Sequence, residues 1–242
     1  MLDSFAAISI FAATLKSPIE SIFSSYLPQE QALEKFINQD EITKIAAIQN
    51  QVVTNESTLE TIKLGIPYIN QKEALIGTQY EQIGGSACGP ATIAMALNYA
   101  NEKIDLESVI TKLPGTVYVK GKMFYDLMSG PKYFGYSAVP IESGVDKIYG
   151  VLKSGNPILM NIQNYDGITG HEIVVVGIKN YDRANKTAEA LIAHDPFREA
   201  YREFKILNDS TLEQPEGYYL PIGILKPFYI VKSALASTDV VK

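Results

Sequence analysis

"GGSACGPATIAMALNYAN" occupies residues 84–101 and holds Cys88, the single cysteine of a 242-residue chain. The stretch begins as a turn and continues as an apolar, alanine-rich helix that the pattern predicts to end near Asn101. A free cysteine with no role but packing acts as a small hydrophobe and fits anywhere in a core. This one stands at the mouth of a helix, beside Gly89 and Pro90. Ser86 is a candidate N-cap, and Pro90 suits the first turn, where a missing N–H goes unnoticed. The free N–H groups and positive dipole end of such a helix favour a thiolate. Gly85 and Gly89 leave room beside the sulfur for a substrate backbone.

Upstream, residues 1–58 read as a helical extension or cap. "SPIESIFSSYL" offers Ser17 as N-cap, Pro18 at the first helical position and Glu20 at the capping-box position. "DEITKIAAIQNQV" places Ile42, Ile45 and Ile48 at helical spacing. Such a segment could be a packed cap that extends the core, a pro-segment that occludes a cleft or a dimerisation element; the occluding reading predicts that removing residues 1–55 raises activity. From about Thr61 the chain turns extended, and a polar, glycine-containing loop runs from Lys72 to Ala87.

Downstream, "DLESVITKL", "GKMFYDLMSG" and "DKIYGVLKSG" predict short helices, the last closed by Gly155. "NPILMNIQ" (156–163) and "HEIVVVGIKN" (171–180) are apolar and β-branched, as central strands are. "AEALIAHDP" (188–196), the alternating "EAYREFKI" (199–206) and "GILKPFYIVKS" (223–233) predict further strands. Helices first and strands afterwards make an α+β fold, with the main domain over residues 59–242.

Composition narrows the function classes. The formal net charge of −6, with no basic stripe, argues against a nucleic-acid partner. No apolar run approaches the ~20 residues that cross a bilayer, and the first residues lack the basic segment of a secretory signal, so a soluble protein is expected. One cysteine excludes an internal disulfide and a four-cysteine metal site. With only two histidines, no metal and no cofactor are expected.

Those two histidines leave a narrow choice of base. His171 opens the most apolar strand, and His194 ends the next, followed by Asp195. Neighbours in a strand point to opposite faces, so His194 and Asp195 are not expected to pair. If the two strands are adjacent, Asp195 reaches across to His171 Nδ1 and fixes its tautomer. The spacing therefore favours Cys88, His171 and Asp195. An oxyanion donor could come from the Cys88 N–H together with a glutamine amide, Gln71 or Gln82.

Four segments together resemble the C39-like branch of the papain-like cysteine peptidases. They are "IPYINQ" (66–71), "ACGPATIAMALNYA" (87–100), "GHEIVVVGI" (170–178) and "AHDPF" (193–197). The resemblance implies a papain-like fold from about residue 62 onward. It implies Cys88 as nucleophile, His171 as general base and acid, Asp195 as the orienting residue and Gln71 as the oxyanion glutamine. The loop from Gln71 to Cys88 is longer than in close members of that family, and Gln82 stands at the shorter spacing. The implied substrate is a peptide or protein, cut through a covalent thioester. An acyltransferase or amidase using the same residues, or a binding module that has kept only the cleft, are the alternatives.

Overall fold

The computed structural model describes residues 59–114, 127–142, 144–167, 169–223 and 226–233. All of them belong to a unit spanning residues 57–242. The helices expected before residue 59 lie outside the described residues.

In chain order the elements are β1 (Glu60–Lys63), α1 (Cys88–Tyr99), α2 (Leu106–Lys112), β2 (Tyr136–Pro140), α3 (Val145–Lys153), β3 (Ile158–Tyr165), β4 (Thr169–Tyr181), β5 (Ala190–His194), β6 (Arg202–Asn208), β7 (Thr211–Glu213), β8 (Tyr219–Pro221) and β9 (Phe228–Lys232). A few helices and one large antiparallel sheet make the fold α+β. The sheet runs β2-β9-β3-β4-β5-β6-β7-β8, and β1 pairs with the far half of β4. A bridge between Ile162 and Ile222 brings β8 back towards β3, so strands β3 to β8 curl round on themselves. Met160, Ile162, Ile173, Val175, Leu191, Phe204, Leu212 and Leu220 fill the enclosed side.

The other face of the sheet carries α1. From Gly89 to Leu97 every residue of this helix is buried, which suits a sequence apolar but for Thr92, whose hydroxyl donates to Gly89 C=O at 2.7 Å. Met95 packs on Val174, Val176 and Ile192, while Ile93 and Leu97 join Leu106, Val109 and Ile110 of α2. Asp105 caps α2 by accepting the Ser108 N–H at 2.7 Å.

Four expectations need correction. Ser86 does not cap α1: the N-cap is Ala87 and no side chain caps this helix, because residues 81–86 form a 3₁₀ turn that ends at Ser86. The loop from Lys72 to Ala87 is not open chain but two 3₁₀ turns, Glu73–Leu75 and Glu81–Ser86, anchored by buried Leu75 and Ile83. The helix expected over "GKMFYDLMSG" lies partly outside the described residues. Its remainder joins a 3₁₀ segment, Leu127–Phe134, whose Pro131 cannot donate to an α-helical bond. The strand expected from Glu199 begins only at Arg202, because Tyr201 has φ +58° and breaks the extended chain.

Candidate active site

Cys88 is a free, half-buried thiol at the first position of α1. Ala91 N–H to Ala87 C=O, at 3.0 Å, is the first bond of the helix. With no capping side chain, the Cys88 and Gly89 N–H groups have no acceptor within the helix. They are therefore free for a ligand oxygen.

His171 is buried near the start of β4, with the strand parity of Ile173 and Val175. Its Nε2–H donates to Asp195 Oδ1 at 2.8 Å, and the Cys88 thiol is close enough to favour the charged ring. The nitrogen facing Asp195 is thus Nε2 and not the expected Nδ1. The register explains this. His194 pairs with Val174, which puts Asp195 opposite Ile173 if the pairing continues. His171 lies two residues further along and must reach diagonally with its far nitrogen. That leaves Nδ1 for the thiol.

Asp195 is fully buried and completely engaged. Besides His171, Oδ1 accepts the Phe197 N–H at 3.0 Å. Oδ2 accepts the Tyr165 hydroxyl at 2.8 Å and Arg202 Nη1 at 2.6 Å. Burial alone would raise this carboxyl. The bond and attraction to His171, with the Tyr165 and Arg202 bonds, overcome it and hold the group down at about 2. For His171, burial disfavours the charged ring. The bonds to Asp195 and Cys88 win, and the imidazole is pushed up to about 9. Tyr165 also stacks on His171, centroids 4.0 Å apart and tilted 31°. Phe197 meets the imidazole edge-on at 6.3 Å.

His194 is turned away from this cluster. Its Nε2–H donates to Ile66 C=O at 2.9 Å, and its Nδ1 accepts the Tyr201 N–H at 3.1 Å. Both nitrogens are occupied by backbone, so the ring is a neutral clamp between the extended segment and the turn after β5. Burial lowers its proton affinity further.

The two glutamines differ sharply. Gln82 is exposed. Gln71 is fully buried. Its N–H donates to Pro196 C=O at 2.7 Å, and its side-chain Nε2 donates to Gly84 C=O at 2.6 Å. One amide hydrogen remains, and Oε1 has no partner. Tyr68 of the same segment donates its hydroxyl to Asp195 C=O at 3.0 Å. The extended "IPYINQ" segment is therefore stitched to the Asp-Pro turn. The two 3₁₀ turns take up the extra length between Gln71 and Cys88.

Tyr165, Phe197 and Arg202 were not singled out from sequence. Arg202 carried a readable signal, since it shares strand parity with Phe204, the inward residue of β6. Glu172, on the opposite face of β4 from His171, is buried as well. Its Oε1 accepts from Asn161 Nδ2 at 2.8 Å, and its Oε2 has no partner. Burial pushes it up to about 7 against the pull of Asn161 and His171. Among the described residues no three His, Cys, Asp or Glu side chains are grouped to hold a metal ion. No described helix is long and apolar enough to cross a membrane.

No curated protein matches the chain. The model of the Peptidase_C39 like family matches residues 63–224, well over half of the 242. That span contains Cys88, His171, Asp195 and both glutamines, and it points to a hydrolase of the cysteine-peptidase kind. By that match the chain belongs to the Peptidase C39-like family.

Proposed function

We propose that the protein is a cysteine peptidase in which Cys88 is the nucleophile, His171 the general base and acid, and Asp195 the residue that orients His171. The observation that carries this reading is a buried imidazole bonded to a fully engaged carboxylate, with the Cys88 thiol acting on the same ring. An imidazole so placed takes the thiol proton, and the resulting ion pair attacks a peptide carbonyl. The oxyanion that forms is assigned to the Cys88 N–H and the remaining hydrogen of Gln71 Nε2 as donors. His171 then gives its proton to the leaving amine. The thioester left on Cys88 is cleaved by a water that His171 deprotonates, which regenerates the thiol. The substrate class is a peptide or protein.

Alkylation by iodoacetamide tests this directly, because one cysteine makes one signal. At pH ~6 an ordinary thiol is almost wholly protonated and labels slowly. Rapid labelling of the folded protein at that pH, abolished in His171→Ala, is the expected result. Slow labelling in the wild type, or labelling only on unfolding, would remove the peptidase reading. Hydrolysis of a peptide library, lost in Cys88→Ala, then separates a peptidase from an acyltransferase that needs an added amine.

A further inference from the structure

Among the described residues Arg202 is the one lysine or arginine that is buried. Its Nη1 donates to Asp195 Oδ2 at 2.6 Å, and its Nη2 donates to Glu216 Oε1 at 2.6 Å. Glu199 is more distant, with Oε1 3.8 Å from Nε. The chain holds this side chain in place at some cost. Tyr201, just before it, adopts a left-handed φ of +58°, which a bulky residue rarely takes. Its N–H bond to His194 and its ring packed on His194 at 4.5 Å keep it there.

The carboxylate between Arg202 and His171 is shared. His171 binds Oδ1 and Arg202 binds Oδ2, so two cations draw on one negative charge. Glu216 in turn draws on Arg202 from the solvent side. Resting on the peptidase reading above, we propose that Arg202 is a positioning residue that sets the proton affinity of His171 through Asp195, with Glu216 as its exposed counter-charge. The other groups facing this chain are fixed by the same contacts. Tyr165 donates to Asp195 and accepts from Arg198 Nε at 3.1 Å, and Arg198 pairs with Asp166 and Glu216. Cys88 faces His171 from α1, and Glu172 follows it on β4.

The signs are opposite for the two ends of the chain. Removing the Arg202 charge leaves Asp195 wholly to the imidazolium, so His171 keeps its proton to higher pH. Removing Glu216 strengthens the pull of Arg202 on Asp195, so His171 loses its proton at lower pH. A role limited to packing gives no such opposition.

The test is the titration of the His171 ring by NMR, assigned by His171→Ala, in wild type, Arg202→Gln, Arg202→Lys and Glu216→Gln. It needs no substrate. Arg202→Gln should move the midpoint up by about half a pH unit or more, as a unit charge one residue removed does at an effective dielectric near 20. Glu216→Gln should move it down, and Arg202→Lys should restore the wild-type value to within a few tenths. Midpoints that stay put, or move the same way in both Gln variants, would overturn the proposal. If Arg202→Gln does not fold, as loss of a buried charge partner allows, the exposed Glu216→Gln decides by its direction. An inert Cys88 in the alkylation experiment would sink the peptidase reading while leaving this titration intact, so the two failures are separable.

Discussion

Gln71 and Gln82 frame the question at the scale of single residues. Both precede Cys88, and spacing alone does not choose between them. Gln71 is enclosed with one amide hydrogen unused and Gln82 is exposed, which favours Gln71 in the proposed role. Loss of an oxyanion donor typically lowers kcat by about 10²–10³-fold. Gln71→Ala should therefore lower kcat by about that factor and leave iodoacetamide labelling of Cys88 unchanged. Gln82→Ala should leave both unchanged. The reverse pattern in the steady-state rates would transfer the role to Gln82. Cys88, His171 and Asp195 were readable because each sits at the end of an element, where sequence marks boundaries with Gly and Pro. Tyr165 was not, because it reaches Asp195 across the intervening β4, and Arg202 was marked only by its parity with Phe204 on the neighbouring strand. The choice between Nδ1 and Nε2 was equally out of reach, since it depends on a two-residue offset between β4 and β5.

Strand β4 is the element on which everything converges. It pairs with β3, β5 and β1, and α1 packs across it. Its apolar sequence predicted a central strand. The crossing of β1 over its far half was not legible, because "TIKLG" carries no mark of its partner. That crossing depends on Gly177. A Cβ there would stand 2.2 Å from Ile62 C=O and 3.2 Å from Lys63 Cα, both backbone atoms that cannot rotate aside. Forcing atoms into a packed interior costs about 1–3 kcal/mol. Gly177→Ala should lower the urea-derived stability by an amount in that range or above, read as a lower midpoint with the m-value unchanged. His171 lies six residues along β4 from this contact. Cys88 labelling per folded molecule should therefore persist, and its loss would mean that β1 reaches the site as well as the sheet. The 3₁₀ turns before α1 were hidden for a different reason. Their side chains are mostly polar, and only Leu75 and Ile83 reveal by their burial that the loop is packed.

For the molecule as a whole, the buried titrating groups predict an asymmetric dependence of stability on pH. Asp195 is held at about 2, below its ordinary 3.8, so it stabilises the fold above 3.8 and loses that effect as pH falls through 2. His171 is raised to about 9 from 6.5. Its contribution is complete below 6.5 and disappears as pH rises through 9. Glu172 is raised to about 7 from 4.5, so its contribution is complete below 4.5 and is lost as pH rises through 7. Two of the three therefore weaken the fold on the alkaline side, and the sheet is most secure in mild acid. None of this was visible in a composition with a net charge of −6, because the effect comes from burial of particular side chains and not from their number. Glu172→Gln separates the two alkaline steps. The amide keeps an oxygen for Asn161 Nδ2 and cannot ionise. Urea-derived stability of this variant should be flat between pH 4.5 and 6.5, where the wild type declines, and should run parallel to the wild type from pH 7 up to pH 9. A variant that declines like the wild type below pH 6.5 would show that Glu172 is already ionised in the fold. Its unpartnered Oε2 would then have to be served by water.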